Sequence, residues 1–343
     1  MRSLYDLSYS ELTALVERWE EPSYRVDQVW NGLYNHLYSH AGKFTTLPLE
    51  LREEIREQYI FHTLSPEREI TSPDGLTKKI LFRLQDQETI ETVLMHYGDR
   101  HTLCISSQAG CAMGCDFCAT GQMGFRRHLT SGEIVEQVVY FQRQLAERDQ
   151  RLTNIVFMGM GEPFHNYQEV MAAVDRLMNE KGLNFGARRI TISTVGIIPG
   201  IKKFARENTQ VNLAVSLHAA ENKRRSSMLP INNKYPLEDL MEAVGYYIQE
   251  TNRRVSFEWA LIEDVNDTLE EADRLADLLQ DMLVHVNLIP LNPTADYSGE
   301  PAVEEQAQAF QERLISRGIP STIRLRRGIE IQAGCGQLAS QES

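Results

Sequence analysis

From about residue 100 onwards, short apolar runs rich in β-branched residues alternate with longer segments of helical periodicity. The strand-like runs are 103–105, 155–158, 190–194, 211–217, 255–262, 284–289 and 322–325. The helix-like segments between and after them lie near 131–145, 167–180, 199–206, 237–251, 268–280 and 303–317. Repeated strand–helix units place consecutive strands in parallel, joined by crossover helices. The pattern predicts an α/β fold with a partial (β/α)6 barrel of the TIM type, whose functional site lies at the carboxyl ends of the strands.

The first hundred residues follow a different pattern. Apolar residues such as Leu12, Leu15 and Val16 recur at helical spacing, which predicts a small helical accessory domain. Further along, β-branched runs flank a turn signal at Ser72–Gly75 and predict strands. We therefore expect three regions: a helical domain at 1–60 that docks RNA or caps the barrel, a β-rich connector at 61–100, and the barrel core at 101–343.

Composition is that of a folded enzyme, since hydrophobic residues make up 42% and charged residues 24% of the chain. No apolar run approaches the roughly 20 residues that cross a bilayer. The segment Met1–Asp6 lacks the apolar core of a signal peptide. These features predict a cytoplasmic protein with no membrane partner. The net charge of −13 argues at first sight against a nucleic-acid partner, because phosphate binding needs clustered Lys and Arg.

Cysteine is the residue type whose distribution points to chemistry. Four of the five cysteines are Cys104, Cys111, Cys115 and Cys118, and the fifth is Cys335. A clustered, odd set without a secretion signal indicates metal or redox chemistry. The C-x3-C-x2-C spacing from Cys111 to Cys118 suits three irons of a [4Fe–4S] cube and leaves the fourth iron open. Zinc is the alternative, but a structural zinc needs four closed ligands, and Cys104 belongs to the preceding strand.

This cysteine motif after the first barrel strand resembles that of the radical S-adenosylmethionine (SAM) superfamily. Within it, the chain resembles the dual-specificity ribosomal and transfer RNA adenine-C2 methyltransferases. The resemblance covers nearly the whole chain, from the segment 24–30 to Leu338. The runs that carry it are 106–111, 117–121, 158–163, 192–194, 215–218, 229–232, 287–293 and 333–338.

The resemblance implies a radical SAM barrel with two cofactors. Cys111, Cys115 and Cys118 would ligate a [4Fe–4S] cluster, and SAM would chelate the open iron. Two SAM molecules would serve each turnover, one as methyl donor and one as radical source. The implied cosubstrate contacts are Gly161, Glu162, Ser193, Ser216, Leu217, His218 and Asn292. On the residues alone, a short Gly motif is also compatible with a tight turn, and a strand-end His with simple packing.

The resemblance also assigns roles to Cys335, Cys104 and Glu91. Adenine C2 is electron-poor and does not attack a methyl sulfonium, so Cys335 would first be methylated by one SAM. A radical from the second SAM would abstract hydrogen from that methyl group, and the resulting methylene radical would add to C2. Cys104 would then attack the Cys335 sulfur, releasing product and forming a transient disulfide. Glu91 resembles the base that removes the C2 proton, although a carboxylate in a strand is also typical of a solvated face. The glycines flanking Cys335 predict an accessible loop.

The implied substrates are adenine 2503 of 23S rRNA and adenine 37 of tRNA, presented as an unstacked base. The implied electron donor is a low-potential protein such as flavodoxin or ferredoxin, and the expected state is a monomer. One alternative is the sister family that methylates C8 of the same adenine, which tends to have Ala where this chain has Pro163. An alternative of another class is a zinc-binding RNA-interaction protein without radical chemistry.

Local charge changes the first impression left by the net charge. Residues 267–312 hold eleven acids against the single base Arg274, a balance of −10, so the rest of the chain carries only −3. Basic residues form small clusters, several of them beside the motifs, as a phosphate-contacting rim would. These clusters are 78–79, 126–128, 188–189, 202–203, 223–225, 253–254 and 324–327.

Overall fold

A ten-stranded sheet surrounded by helices forms the centre of the protein. The structure is a computed structural model and describes residues 1–339. Its strands are β1 (Arg2–Ser3), β2 (Tyr59–Ile60), β3 (Ser65–Thr71), β4 (Thr77–Arg83), β5 (Thr89–Tyr97), β6 (Arg100–Cys104), β7 (Gln108–Gly110), β8 (Phe125–His128), β9 (Asn154–Phe157), β10 (Ile190–Thr194), β11 (Asn212–Ser216), β12 (Val255–Leu261), β13 (Val284–Pro290) and β14 (Ser321–Ile323). Its α-helices are α1 (Tyr9–Arg18), α2 (Tyr24–Tyr34), α3 (Leu49–Gln58), α4 (Ala119–Gln122), α5 (Ser131–Ala146), α6 (Tyr167–Met178), α7 (Ile198–Phe204), α8 (Asn222–Met228), α9 (Leu237–Thr251), α10 (Leu269–Leu279) and α11 (Glu304–Ser316).

The order of strands in the large sheet is β14-β13-β12-β11-β10-β9-β6-β5-β4-β3. From β6 to β14 every neighbouring pair is parallel. Helices α5, α6, α7, α9, α10 and α11 connect these strands, which makes six strand–helix units followed by the last strand β14. The predicted α/β fold with a partial (β/α)6 barrel is confirmed, and the two ends of the sheet do not pair with each other in the described part of the chain.

The parallel strands are apolar because helices cover them. Ile155 and Phe157 of β9 and Ile190 and Ile192 of β10 are at most 1% exposed, as expected for the strand face that packs in the hydrophobic core. Thr130 caps the start of helix α5 with a capping box, which satisfies N–H groups that have no partner within the helix. The Thr130 hydroxyl accepts a hydrogen bond from the Glu133 N–H, and the Glu133 carboxylate accepts one from the Thr130 N–H. The helix therefore starts where the sequence pattern predicts.

The strands of the predicted connector extend the barrel sheet. Strand β4 pairs antiparallel with both β3 and β5, and β5 pairs antiparallel with β6. The turn between β3 and β4 falls at Ser72–Gly75, where the Gly75 N–H donates to the Ser72 carbonyl and Gly75 adopts a φ of +71°. A left-handed φ is what makes glycine suitable in this turn. The connector strands are thus hydrogen-bonded to the barrel as part of one sheet. The division of the chain into three regions stays a prediction.

The N-terminal helices pack against the barrel through buried aromatic residues. Strand β1 pairs with β2, so the two ends of the 1–60 segment lie together. Trp30 and Tyr34 are each 1% exposed, and Arg176 of α6 donates hydrogen bonds to the carbonyls of Asp6 and Leu7. These aromatic side chains therefore serve packing. Within the described residues, no helix is long and apolar enough to span a membrane.

Candidate active site

A cleft opens at the carboxyl ends of the parallel strands. It contains about 1010 Å³ of space free of atoms, counted out to its open mouth. The wall brings together residues that are far apart in the sequence, because the ends of parallel strands meet at one edge. The predicted site residues that line it are Cys111, Cys115, Cys118, Gly161, Glu162, Ser193, Ser216, His218, Asn292 and Cys335.

The three clustered cysteines lie on the connection of a small hairpin. Strands β7 and β8 pair antiparallel, and the chain between them carries Cys111, Cys115 and Cys118. Gly110 has a φ of +70°, and a Cβ there would lie 1.9 Å from the Gly124 carbonyl oxygen, so only glycine lets the two sides of the hairpin close. The Cys111 N–H donates to the same carbonyl at 3.0 Å.

Burial keeps these thiols protonated when nothing compensates their charge. Desolvation raises the pKa of Cys111 to about 12 and that of Cys115 well above its usual value, and the neighbouring thiols raise the Cys115 pKa further. A set of buried thiols with a mutually raised pKa is a site that a cationic metal centre stabilises, because thiolates ligate the metal as protons leave. Within residues 1–339, no three or more His, Cys, Asp or Glu side chains are arranged so that they could hold one metal ion together.

Gly161 and Glu162 follow strand β9 and form one wall of the cleft. Gly161 has a φ of +99°, and a Cβ there would lie 2.5 Å from the Gln108 side chain. The Glu162 carboxylate accepts hydrogen bonds from the backbone N–H groups of Phe164 and Val195 at 2.9 and 2.8 Å. Desolvation nevertheless raises the pKa of Glu162 to about 7, because no side-chain cation among the described residues compensates its charge. A ligand ammonium would supply that missing charge, so the carboxylate fits the amino group of SAM.

Asn292 closes the opposite wall of the cleft. Its Nδ2 donates to the Cys335 carbonyl at 3.0 Å, while its Oδ1 is buried without a partner. A buried acceptor left unpaired is costly, and a ligand donor would satisfy it. Ser193 and Ser216 line the cleft at the ends of β10 and β11. The residues present therefore fit a zwitterionic amino-acid moiety and a sulfur-ligated cluster.

Leu217 and His218 follow β11 and lie differently. The Leu217 side chain is fully buried in the core and does not line the cleft. His218 lines the cleft with a φ of +60°, and its Nδ1 accepts a hydrogen bond from the Ala260 N–H at 2.8 Å. Burial, assisted by the positive charge of Arg225, lowers the pKa of His218 to about 3. The ring is therefore neutral and carries its proton on Nε2.

Arg225 is a site residue that the sequence analysis assigned to a basic surface cluster. It is 1% exposed, and its guanidinium donates to the carbonyls of Val195 and Leu217 at 2.7 and 3.2 Å. It also donates to Asn232 at 2.8 Å, within one of the motifs that carry the resemblance. Arg225 thus ties together the loops after β10 and β11. Sequence spacing holds no signal for this role, because a buried and a surface arginine look alike in a polar helix.

The loop that carries Cys335 docks on the cysteine motif. The Ala119 N–H donates to the Gly336 carbonyl at 2.8 Å, and the Thr120 hydroxyl donates to the Leu338 carbonyl at 2.5 Å. These two partners directly follow Cys118 at the start of α4. Cys335 itself is exposed, whereas Ala333, Gln337 and Leu338 of the same loop are buried.

Cys104 ends strand β6 and borders a second cavity. Residues that line both this cavity and the cleft include Met158, Asn292 and Cys335. Both Cys104 and Cys335 are free thiols. Burial, and then the nearby Cys335, raise the pKa of Cys104 to about 12, whereas the guanidinium of Arg324 opposes this shift. The structure thus brings Cys104 and Cys335 to one wall.

Glu91 lies outside both cavities. It is 5% exposed on β5, its Oε1 is 2.8 Å from the Lys79 Nζ, and its Oε2 accepts from the Ala339 N–H at 3.0 Å. It faces a third cavity, together with Gln332 and Gln337. In this conformation its carboxylate is engaged by Lys79 and the backbone, and its role as a base stays a prediction.

Comparisons with known proteins agree with this site. Residues 105–279 match the family model of the radical SAM superfamily. A protein of Myxococcus xanthus named dual-specificity RNA methyltransferase RlmN 1 is 49% identical over 336 residues, which cover 98% of this chain and 94% of that protein. The crystal structure of a radical SAM methyltransferase from Sphaerobacter thermophilus has a TM-score of 0.97 at 48% identity and covers 99% of this chain and 100% of that chain.

Proposed function

The chain belongs to the radical SAM superfamily and, within it, to the dual-specificity RNA methyltransferases named RlmN, and on this premise we propose that it methylates C2 of adenine in RNA. The proposed substrates are adenine 2503 of 23S rRNA and adenine 37 of tRNA. The observation that carries the proposal is the position of Cys335, which lies in the wall between the cleft of the three clustered cysteines and the cavity of Cys104. A cysteine that receives a methyl group and is later attacked by a second thiol has to lie close both to the cleft that would bind SAM and to that second thiol.

The residues of the cleft would hold the two cofactors. Cys111, Cys115 and Cys118 would ligate the [4Fe–4S] cluster, and Glu162 and Asn292 would bind the amino-acid moiety of SAM. When bound, the cluster supplies the electron that cleaves SAM to a radical. Ser193, Ser216, His218 and the backbone of Leu217 would complete the contacts with SAM, while Gly161 lets the backbone approach it.

Cys335 would carry the methyl group in this reaction. Its thiolate would attack the methyl carbon of the first SAM, the sulfonium carbon–sulfur bond would break, and S-methylcysteine would form as S-adenosylhomocysteine leaves. After the carbon has been joined to adenine C2, the Cys104 thiolate attacks the Cys335 sulfur. A disulfide would form as the bond between the Cys335 sulfur and the transferred carbon breaks, and the electron pair of that bond would stay on the carbon, which gains a proton and becomes the methyl group. Glu91 would take the C2 proton, and the surplus electron of the radical adduct would leave to the electron-transfer partner. The Asn292 side chain holds the Cys335 carbonyl during these steps.

Further partners follow from the same chemistry. We infer that a low-potential protein such as flavodoxin or ferredoxin supplies the electrons, that the enzyme acts as a monomer, and that it works in the cytoplasm with its RNA substrates. The exposed Arg126 lies on the hairpin that carries the three cysteines, where it would meet phosphates beside the target base.

Anaerobic reconstitution with iron and sulfide tests the metal centre. We expect a brown protein with about four irons per chain, as a [4Fe–4S] cluster has. A colourless protein that retains zinc after the same treatment would instead support a zinc-binding RNA-interaction protein. Mass spectrometry of RNA fragments after turnover then distinguishes a methyl group on C2 from one on C8, and a C8 product would assign the chain to the sister activity.

Replacing the resolving thiol tests the two-cysteine scheme. The Cys104→Ala variant lacks the thiol that attacks Cys335, so a covalent protein–RNA adduct should accumulate on a denaturing gel. The matched control is Cys104→Ala combined with Cys335→Ala, which lacks the carrier and should form no adduct. Multiple turnovers by Cys104→Ala at the rate of the unchanged enzyme would contradict disulfide resolution.

A further inference from the structure

The antiparallel extension of the sheet touches the Cys335 loop through a buried ion pair. Lys79 lies opposite Val93, and Leu81 lies opposite Glu91, in the register of β4 and β5. Lys79 and Glu91 are therefore diagonal neighbours on one face, close enough for long side chains to meet. Their side chains are 8% and 7% exposed, and the Lys79 Nζ lies 2.8 Å from the Glu91 Oε1.

Each member of the pair also holds one end of the segment that carries Cys335. The Lys79 Nζ donates to the Gln332 carbonyl at 3.0 Å, and the Ala339 N–H donates to the Glu91 Oε2 at 3.0 Å. Cys335 lies between these two points, three residues after Gln332 and four before Ala339. The ion pair thus connects the two ends of the loop and fixes both on the sheet.

A buried ion pair is a costly way to gain stability. Desolvation of the two charges offsets much of their attraction, so well-packed apolar residues would stabilise the fold as well or better. The pair makes physical sense where it fixes one geometry. Here the fixed element is a loop that also bonds Asn292, the Pro293 carbonyl and the start of α4, and that buries the side chains of Ala333 and Leu338.

We propose that Lys79 and Glu91 form a clamp that positions Cys335 between the cleft and the Cys104 cavity. Lys79 is then a positioning residue for the methyl carrier, and the three-stranded extension of the barrel serves as the anchor of the carrier loop. The proposal rests on the proposed function for its catalytic meaning. The holding of the loop by the clamp is a separate property that needs neither cluster nor SAM to be measured.

Lys79→Gln tests the clamp, with Lys78→Gln as the matched control. Lys78 is the adjacent residue on the same strand, but its side chain extends to the other face and pairs with Glu69 at 2.5 Å. Hydrogen exchange of peptides covering 328–339 should rise about tenfold in Lys79→Gln, because the loop then opens at a lower free-energy cost. Exchange in Lys78→Gln should match the unchanged protein.

A second variant covers the case in which an unpaired Glu91 unfolds the chain. Lys79→Met combined with Glu91→Leu removes both charges together, which is far gentler to a fold than removing one partner. Diamide should oxidise Cys104 and Cys335 of this variant to a disulfide about tenfold more slowly, because the two thiols are held together less of the time.

The readouts separate this proposal from the proposed function. Unchanged exchange in Lys79→Gln together with unchanged diamide oxidation in the double variant, or an equal effect of Lys78→Gln, would overturn the clamp. Lys79→Arg should restore most of the protection, since a guanidinium can also bridge Glu91 and a carbonyl. If the unchanged protein methylates no RNA while Lys79→Gln still loosens the loop, the proposed function fails and the clamp stands. In an active enzyme, Lys79→Gln should lower kcat more than it alters the KM for SAM, because it leaves the cleft intact.

Discussion

His218 shows how a single residue is set by its surroundings in this protein. A histidine at a strand end is compatible with packing or with ligand binding. The structure shows a buried ring whose Nδ1 accepts a hydrogen bond from the Ala260 N–H. A backbone N–H can only donate, so Nδ1 has to stay unprotonated. The ring also makes an edge contact with Phe117, next to Cys118, with 4.9 Å between ring centroids. The neutral Nε2–H form is thereby fixed and available to the cleft.

The pH response of His218 follows from its burial. Desolvation lowers its pKa from 6.5 to about 3, so between these values the unfolded chain binds a proton that the folded chain does not. The stability contributed by the neutral ring is fully present above pH 6.5 and is lost as the pH falls towards 3. We expect ¹⁵N imidazole shifts of the metal-free protein to stay those of the neutral Nε2–H tautomer from pH 8 to pH 5. Titration of this ring near 6.5 would contradict the buried hydrogen bond.

Cys335 is the residue whose placement most depends on the fold. Flanking glycines predict an accessible loop, and the structure agrees that Cys335 is exposed. No pattern in the sequence predicts that the loop is tied to β4, β5, α4 and the loop after β13. The contacts with β4, β5 and α4 join residues more than two hundred positions apart, such as Lys79 and Gln332, and the contact between Asn292 and Cys335 joins residues 43 positions apart.

At the scale of elements, the strands end in turns shaped for close approach. Strand β9 is followed by Gly159 and Gly161, and a Cβ at Gly159 would lie 2.7 Å from the Ile105 carbonyl oxygen. The strand ends therefore approach each other more closely than residues with side chains would allow. Arg225 stabilises the same site, because it donates hydrogen bonds to the carbonyls of two neighbouring loops.

Gly161→Ala should weaken this turn, with Gly245→Ala as its counterpart in a helix. Gly161 has a φ of +99° and no room beside Gln108, so alanine should lower the free energy of unfolding by about 1–3 kcal/mol. Gly245 lies within α9 with open space where a Cβ would be, so alanine there should raise it by roughly 0.4–1 kcal/mol. Urea unfolding of both variants measures the difference. Equal effects of the same sign would show that the turn is not constrained.

At the scale of the whole molecule, much of the charge is paired or buried. Part of the acidic segment 267–312 lies on α10 and α11, where Asp273 and Asp277 pair with Arg313 and Arg317. Several basic residues are engaged internally, including Arg225 in the core and Arg224 with the buried Glu271. Arg126 stays exposed on the hairpin of the cysteine motif. The net charge of −13 is thus compatible with a locally basic rim.

Salt dependence of RNA binding should reveal which face meets the substrate. Arg126→Ala removes a cation beside the cleft, and the slope of log K against log salt should fall by about 1 if that side chain neutralises a phosphate. Arg254→Ala is the matched control, because Arg254 is also exposed but directly precedes β12, at the amino ends of the strands. Fluorescence titration with a tRNA fragment at several salt concentrations measures both slopes. A larger loss from Arg254→Ala would place the RNA at the opposite face.

The sequence by itself determined the elements of the barrel and the chemical character of the site. Helical and strand periodicities depend on local backbone geometry, so β10, α9 and the Ser72–Gly75 turn fall where the pattern places them. Cys111, Cys115 and Cys118 were found because their spacing is local, and family resemblance supplied the contacts along the strand ends.

Only the tertiary structure decided which side chains are buried, paired or brought together. Arg225 is a core residue, Leu217 faces away from the cleft, and Glu91 is engaged by Lys79. The sharing of one wall by Cys335 and Cys104 also belongs to the fold. The reason is physical: burial and contact depend on elements that meet across large sequence separations, and no local periodicity encodes those distances.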